Sequence, residues 1–315
     1  AGRAVRILLT GASSFTGMWF AEALVAAGHE VVAPLLRPVA DYDALRGLRV
    51  ARVAAVARVV PGLRFGDEGF LALAGGGDFD VLCHHGARVE GYRDRDFDVT
   101  GAVADNTHAL DKVLAVMAAR GLRAMVMTGS VFEADEGAGE MPREAFSPYG
   151  LSKSLSFAVA RFRAAQAGVP LGKFVIANPF GPFEEPRFCA YLMKCWAAGS
   201  AAGVNTPAYL RDNIHVDLLA RAYAGFVADI AGQRRDMRLG PIGYIETQGQ
   251  FAGRFAGAMR NRLGLDCALS LAEQRDFAEP LARINTDRVD TAALGWDEGA
   301  AWDGIAAYYR GKIGR

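Results

Sequence analysis

The sequence has no excess charge of either sign: 35 Lys and Arg balance 35 Asp and Glu over 315 residues. A chain without a net field has no bulk electrostatic reason to bind nucleic acid or an anionic membrane, although a local basic pocket for a phosphate is compatible with it. Cysteine is scarce. Cys83, Cys189, Cys195 and Cys267 form no CxxC and no Cys/His ligand spacing, so neither a disulfide framework nor a metal centre is expected. Reduced thiols in a cytoplasmic protein are the expectation. No apolar run reaches the roughly 18 uncharged residues of a membrane span. The first apolar stretch, "AVRILLTG", runs straight into a glycine turn and lacks a signal-peptide layout. Repeats and low-complexity tracts are missing as well. What is present is a globular composition, 51% hydrophobic and 22% charged, enough for one large or two unequal domains.

Short apolar β-runs alternate with Ala-rich helical stretches through the first half. The pattern predicts strands at 5–11, 30–37, 78–87, 123–130 and 171–179. Helices are predicted at 16–28, 42–59, near 99–120, and from about Tyr149 to Gln166. Strands spaced by helices imply right-handed crossovers and a mostly parallel sheet covered on both faces. The expected fold is α/β, a doubly wound Rossmann-like sheet with a smaller mixed α/β C-terminal region. Residues 1–178 form the dinucleotide-binding part, with about 211–230 packing back on it, and 179–315 are mainly substrate-binding. After residue 180 prolines and glycines cluster and the periodicity loosens. Phe188, Tyr191, Leu192 and Trp196 are expected to be the packing stripe of a helix.

"TGASSFTG" (10–17) lies between the first strand and the first helix, where a doubly wound sheet places its phosphate-binding turn. Gly11 permits the tight turn, Gly17 lets the helix approach the strand, and amides at the helix start can face an anion. Ser14 stands in place of a middle glycine. An NAD site wants a carboxylate closing the second strand, yet Glu30 opens that strand and Arg37 follows its end. Arginine suits a 2′-phosphate, so NADP(H) is favoured and NAD(H) is the alternative. The other reading of Arg37 is a solvated loop charge.

"MVMTGS" (125–130) ends a strand in hydroxyls, at the sheet edge where ligands bind. The helix after it carries Tyr149 and Lys153 four apart, on one face. A cation near a phenol favours the phenolate, and Ser130 can hydrogen-bond the same substrate oxygen. A carbonyl or alcohol held there could exchange hydride with a nicotinamide while Tyr149 moves the proton.

Together, "TGASSFTG", "HHGA" (84–87), Asn106, "TGSVFE" (128–133), "YGLSK", "NPFGP" (178–182) and "RDNIHVDLLA" (211–220) resemble the extended short-chain dehydrogenase/reductase family of nucleotide-sugar epimerases, dehydratases and reductases. "RINTD…LGW" (283–296) resembles the family's C-terminal end more loosely. The resemblance implies Ser130, Tyr149 and Lys153 as the catalytic trio, Lys153 and Tyr149 also meeting the cofactor. It places Gly11, Ser14, Phe15, Gly17, Ala87 and Asn106 at the cofactor, and Tyr92, Asn178, Arg211 and Arg283 at the substrate. Arg211 would grip a diphosphate, which suits a planar guanidinium. A homodimer is implied too.

The family's dehydratases carry an acid directly after the active-site hydroxyl; here Val131 and Phe132 follow Ser130, and Glu133 comes third. Two reactions remain: NADPH reduction of a 4-keto nucleotide sugar, which Arg37 favours, and 4-epimerisation with NAD. Among the bland readings, His84 and His85 form packing or a cofactor wall, His215 braces a loop, and the 90–98 segment is a solvated loop.

Overall fold

The structure, a computed structural model, describes residues 4–313. Its first elements are β1 (Arg6–Thr10), α1 (Phe15–Ala26), β2 (Glu30–Pro34), α2 (Ala44–Val56), β3 (Arg58–Val60), α3 (Glu68–Gly76) and β4 (Val81–His84). There follow α4 (Val99–Asn106), α5 (Leu110–Ala118), β5 (Ala124–Ser130), β6 (Ala138–Gly139), α6 (Pro148–Gln166), β7 (Leu171–Ile176) and β8 (Asn178–Phe180). The chain continues through α7 (Phe188–Ala197), β9 (Ala202–Val204), β10 (Leu210–His215), α8 (Val216–Gln233), β11 (Met237–Leu239) and β12 (Tyr244–Thr247). It closes with α9 (Gln248–Leu263), β13 (Leu269–Leu271), β14 (Ala282–Ile284) and α10 (Glu298–Ile313).

Two compact units result. The first takes residues up to 136, 144–176 and 220–240; the second takes 137–143, 177–219 and 241 onward.

Among the described residues the first unit is built on a seven-stranded sheet, order β11-β7-β5-β4-β1-β2-β3, with every pairing parallel. This is the doubly wound sheet expected from the sequence. Ile7, Leu8 and Leu9 of β1 are fully buried, as a strand covered on both faces requires. Each such side chain contributes about 1.5–3 kcal/mol. Strand order reverses between β1 and β4, so the ligand crevice of such a sheet lies at their carboxyl ends.

Two expectations are corrected. The helix expected at 42–59 ends at Val56, and Arg58–Val60 pairs with β2 as β3. The helix expected near 99–120 is two, α4 and α5, separated at 107–109. There Ala109 takes φ +47° and the Thr107 hydroxyl turns back on the Val103 carbonyl (2.7 Å). The turn at Gly66, φ +83°, presses so closely on the His108 carbonyl that a Cβ there would collide with it.

In the second unit β10 is flanked by antiparallel β12 and parallel β14, with β8 also paired to β10 and β6 to β14. Phe180, Trp196, Phe251, Phe255 and Trp302 build its core. The buried face of α7 carries Cys189, Leu192, Met193 and Trp196. Tyr191, expected in that stripe, points outward, its hydroxyl accepting the Gly203 amide.

Candidate active site

The turn after β1 has a bare backbone where the expected anion would lie. Gly11 adopts φ +75°, and a Cβ on it would come within 2.7 Å of the Gly86 amide nitrogen. At Gly17 a Cβ would collide with the Gly11 carbonyl, so α1 can approach the turn only with glycine there. Ser14 needs no special backbone, with φ −79° and ψ 168°. Its hydroxyl folds back as the N-cap of α1, accepting from Gly17 N–H at 3.0 Å. Phe15 and Thr16 supply the other first-turn amides, which have no intrahelical acceptor. The Phe15 ring itself is buried, with the Arg49 guanidinium 5.9 Å from its centroid. The arrangement suits a pyrophosphate.

Two histidines close this region from the β4 side, each in a defined role. His84 Nε2 meets the Asn106 carbonyl at 2.8 Å. A carbonyl only accepts, so Nε2 carries the proton and Nδ1 accepts from Thr10 Oγ1 (3.1 Å). Thr10 Oγ1 in turn accepts Gly86 N–H. Burial pushes the His84 imidazole down to about 4. Asn106 is buried with both ends of its amide engaged: Nδ2 donates to Ser156 Oγ and Oδ1 accepts Arg88 N–H. Its position therefore ties α4, the loop after β4 and α6 together beside half-buried Ala87.

α6 begins at a Ser147 cap whose hydroxyl accepts Gly150 N–H, with Pro148 in the first turn. Tyr149 follows, and one turn on comes Lys153, buried, whose Nζ donates to the Thr128 carbonyl at 2.6 Å. A Cβ at Gly150 would collide with the Phe132 carbonyl; the glycine brings the start of α6 against the loop after β5. Burial lowers the Lys153 pKa, Glu133 partly offsets this, and Lys173 lowers it further. Ser130 Oγ accepts Phe132 N–H at 3.2 Å, which leaves its own proton to be donated. Tyr149 is half-buried, with Tyr92 and Phe97 edge-on at 5.6 and 6.2 Å between centroids. The 90–98 loop thus walls the phenol with two aromatic rings.

Glu133 is fully buried. It takes Lys173 Nζ at 2.6 Å and Ser130 N–H at 2.7 Å, and Lys173 continues to Glu136, which holds Arg238. Arg37 is exposed beyond the end of β2, its amide donating to Tyr42 Oη. Glu30 pairs with Arg6 at the opposite end of that strand.

In the second unit, Arg211 and Arg283 are register partners on adjacent parallel strands, and both are buried. Two guanidiniums side by side repel unless an anion lies near. Arg211 Nη1 holds the carbonyls of Leu210, Pro280 and Leu281, and Nη2 holds Glu279 at 2.9 Å. Asn178 is half-buried on β8, in register with Asn213 of β10. His215 Nδ1 accepts Asp217 N–H at the start of α8. Among the described residues no group of three or more His, Cys, Asp or Glu could hold a metal ion, and no helix is long and apolar enough to cross a membrane.

Comparison with known proteins decides the family. The model of the NAD-dependent epimerase/dehydratase family matches residues 7–240. The chain belongs to that family. It is therefore an enzyme of the extended short-chain dehydrogenase/reductase type. Solved structures of similar fold include the UDP-glucose 4-epimerase of Stenotrophomonas maltophila with NAD and a formylated UDP-arabinopyranose (20% identity, TM-score 0.74, covering 98% of each chain). Another is a dTDP-glucose 4,6-dehydratase of Streptomyces venezuelae with NAD (20% identity, TM-score 0.70, 98% of each chain). The UDP-glucose 4-epimerase of Thermotoga maritima is a third (17% identity, TM-score 0.71, 98% of this chain and 99% of that one). At these identities the likeness speaks for the fold alone. No curated protein matches the sequence.

Sequence reasoning did not find Phe97 beside Tyr149, Glu279 on Arg211, or the engagement of His85 with the glycine turn. None of the three left a signal in the sequence, because each depends on contacts between distant parts of the chain.

Proposed function

We propose that this family member catalyses hydride transfer at a carbonyl carbon of a nucleotide-linked sugar, in the direction of 4-keto reduction with NADPH. The observation that carries the reading is the cluster at the end of β5: Lys153 Nζ held on the Thr128 carbonyl, Tyr149 one turn before it, and Ser130 with a proton to donate. A nicotinamide dinucleotide, when bound, supplies the hydride. Gly11, Ser14, Phe15 and Gly17 would hold its pyrophosphate, Ala87 and Asn106 would shape its bed, and Lys153 would engage its ribose with the two N–H bonds not given to Thr128.

Tyr149 delivers its phenolic proton to the substrate oxygen. Ser130 donates a hydrogen bond to that same oxygen and steadies it. The Lys153 ammonium and the N-terminus of α6 favour the phenolate left behind. Tyr92 and Phe97 keep water from the ring. Arg211 and Arg283 would hold the substrate's diphosphate and Asn178 its sugar-nucleotide portion. Arg37, with no carboxylate closing β2, supports NADP(H) over NAD(H).

Dehydration is disfavoured because Glu133 is committed to Lys173 and the Ser130 amide. Epimerisation at C4 with NAD is the second reading, supported by the NAD carried by the Stenotrophomonas and Streptomyces proteins. A homodimer is supported by α6, where Leu151, Leu155, Ala158 and Phe162 form an exposed apolar stripe. Four free cysteines fit a reducing cytoplasm.

The test is to identify the cofactor retained on purification, titrate the apo protein with NADPH and NADH, and screen 4-keto nucleotide sugars. Exchangeable binding that prefers NADPH, with NADPH consumed by a 4-keto sugar, is expected. NAD that resists dialysis, with sugar epimerised without net redox, would replace the reductase by the epimerase.

A further inference from the structure

His85 is a well-connected side chain that the proposed chemistry does not use. Its Nε2 lies 3.1 Å from Ser14 Oγ and 3.0 Å from Thr16 Oγ1, both in the glycine turn. Its Nδ1 lies 2.8 Å from Thr128 Oγ1 on β5. Phe20 of α1 packs edge-on to the ring at 5.0 Å. These partners come from two segments, 14–20 and β5, which meet at His85 because β1, β4 and β5 are neighbours in the sheet.

Ser14 Oγ accepts Gly17 N–H and keeps both a proton and a second lone pair, and the Thr16 and Thr128 hydroxyls can likewise donate or accept, so both ring nitrogens are bonded whichever one carries the proton. Burial, then Lys153, then His84 push the imidazole down to about 3, so the ring stays neutral and keeps one donor and one acceptor. The carbonyl of the same Thr128 receives Lys153 Nζ. A continuous hydrogen-bonded path therefore runs from the N-cap of α1 through His85 and Thr128 to the lysine.

We propose that His85 is a positioning residue for the dinucleotide, setting the separation between the pyrophosphate turn at the start of α1 and the Thr128 carbonyl that places Lys153. This rests on the reading of the cluster as a dinucleotide-dependent hydride-transfer site. The turn grips the phosphates and Lys153 engages the far ribose, so the ring fixes the span between the two grips. A ligand that touches only the turn is indifferent to that span; a whole dinucleotide is not.

The experiment titrates the full chain calorimetrically with NADPH, NADH and ADP, the last carrying only the phosphate and adenosine half. For His85→Leu the better-bound dinucleotide is expected to weaken about tenfold or more, while ADP changes by less than about twofold. His85→Gln, which retains an acceptor and a donor, should recover most of the loss. Thr128→Val removes Oγ1 but keeps the carbonyl and should repeat the pattern, which covers the case of a poorly folding His85→Leu. Equal losses for ADP and dinucleotide would reduce His85 to a support of the turn and overturn the proposal. Unchanged dinucleotide affinity in His85→Leu and Thr128→Val would overturn it while leaving the functional reading intact. A wild-type chain that binds neither dinucleotide would overturn both.

Discussion

Tyr149→Phe takes one oxygen from a ring that keeps its place beside Tyr92 and Phe97. Dinucleotide affinity should therefore stay within about threefold, while the rate of hydride transfer falls by roughly 10²–10⁴, the range for losing a positioned acid. Lys173→Met acts on stability instead. It removes the ammonium between Glu133 and Glu136, and removing one partner of a buried pair costs about 3–5 kcal/mol; denaturant unfolding should record it. Glu279 sits half-exposed on a buried Arg211 and competes with any anion for that guanidinium. Glu279→Gln should tighten UDP binding by roughly two- to fivefold in calorimetry, the worth of one partly exposed pair; unchanged affinity would remove Glu279 as a competitor. At this scale Ser130, Tyr149 and Lys153 were legible because all three lie within 24 residues and spacing alone puts Tyr149 and Lys153 on one helix face. The contacts of Glu279 and His85 were not, because their partners lie 43 to 71 residues away and sequence spacing says nothing about such contacts.

The proposed chemistry depends on where α6 starts. Ser147→Ala removes the cap on Gly150 N–H and should cost about 1 kcal/mol. Gly150→Ala is more severe, since its methyl meets the Phe132 carbonyl and must push the helix away from the loop after β5. A loss of about 1–3 kcal/mol should accompany a fall in activity larger than that of Ser147→Ala; equal activities would mean that the approach of α6 to that loop is not critical. Five of the seven strands in the first unit's sheet, β1, β2, β4, β5 and β7, were readable as elements because burial on both faces makes them continuous apolar runs. The break between α4 and α5 was not. It lies where the Gly66 turn, from a distant part of the chain, approaches the His108 carbonyl, a contact that spacing at 107–109 does not announce. Likewise β3 is three residues long, too short for periodicity to separate it from the helix before it.

For the molecule as a whole, buried ionisable groups set opposite pH limits. His84 and His215 are pushed down to about 4 and His85 to about 3, by burial first in each case. The unfolded chain takes up their protons below about 6.5 and the native state does not, so stability is lost as pH falls from there towards 4. Glu184 is pushed up to about 8 and Asp212 to about 6, again by burial. There the native state holds the extra proton, so stability falls as pH rises, through Asp212 up to about 6 and through Glu184 up to about 8. Thermal unfolding should peak near pH 6.5. Glu184 contributes roughly 2 kcal/mol to the alkaline limb between pH 6.5 and 8, partly offset by the histidines, and the limb should disappear in Glu184→Gln.

The proposed chemistry turns on Tyr149, which, with Ser130 and Lys153, would move the proton that accompanies hydride transfer. Its most direct test is a single-turnover measurement in which protein loaded with NADPH is mixed with 4-keto nucleotide sugars and nicotinamide fluorescence is followed in wild type and Tyr149→Phe. One such sugar is expected to oxidise the cofactor in the wild type and to do so at least about a hundredfold more slowly in the variant, with NADPH bound equally well by both. Equal rates in the two proteins, or a wild type that holds NADPH and transfers hydride to none of these sugars, would contradict it.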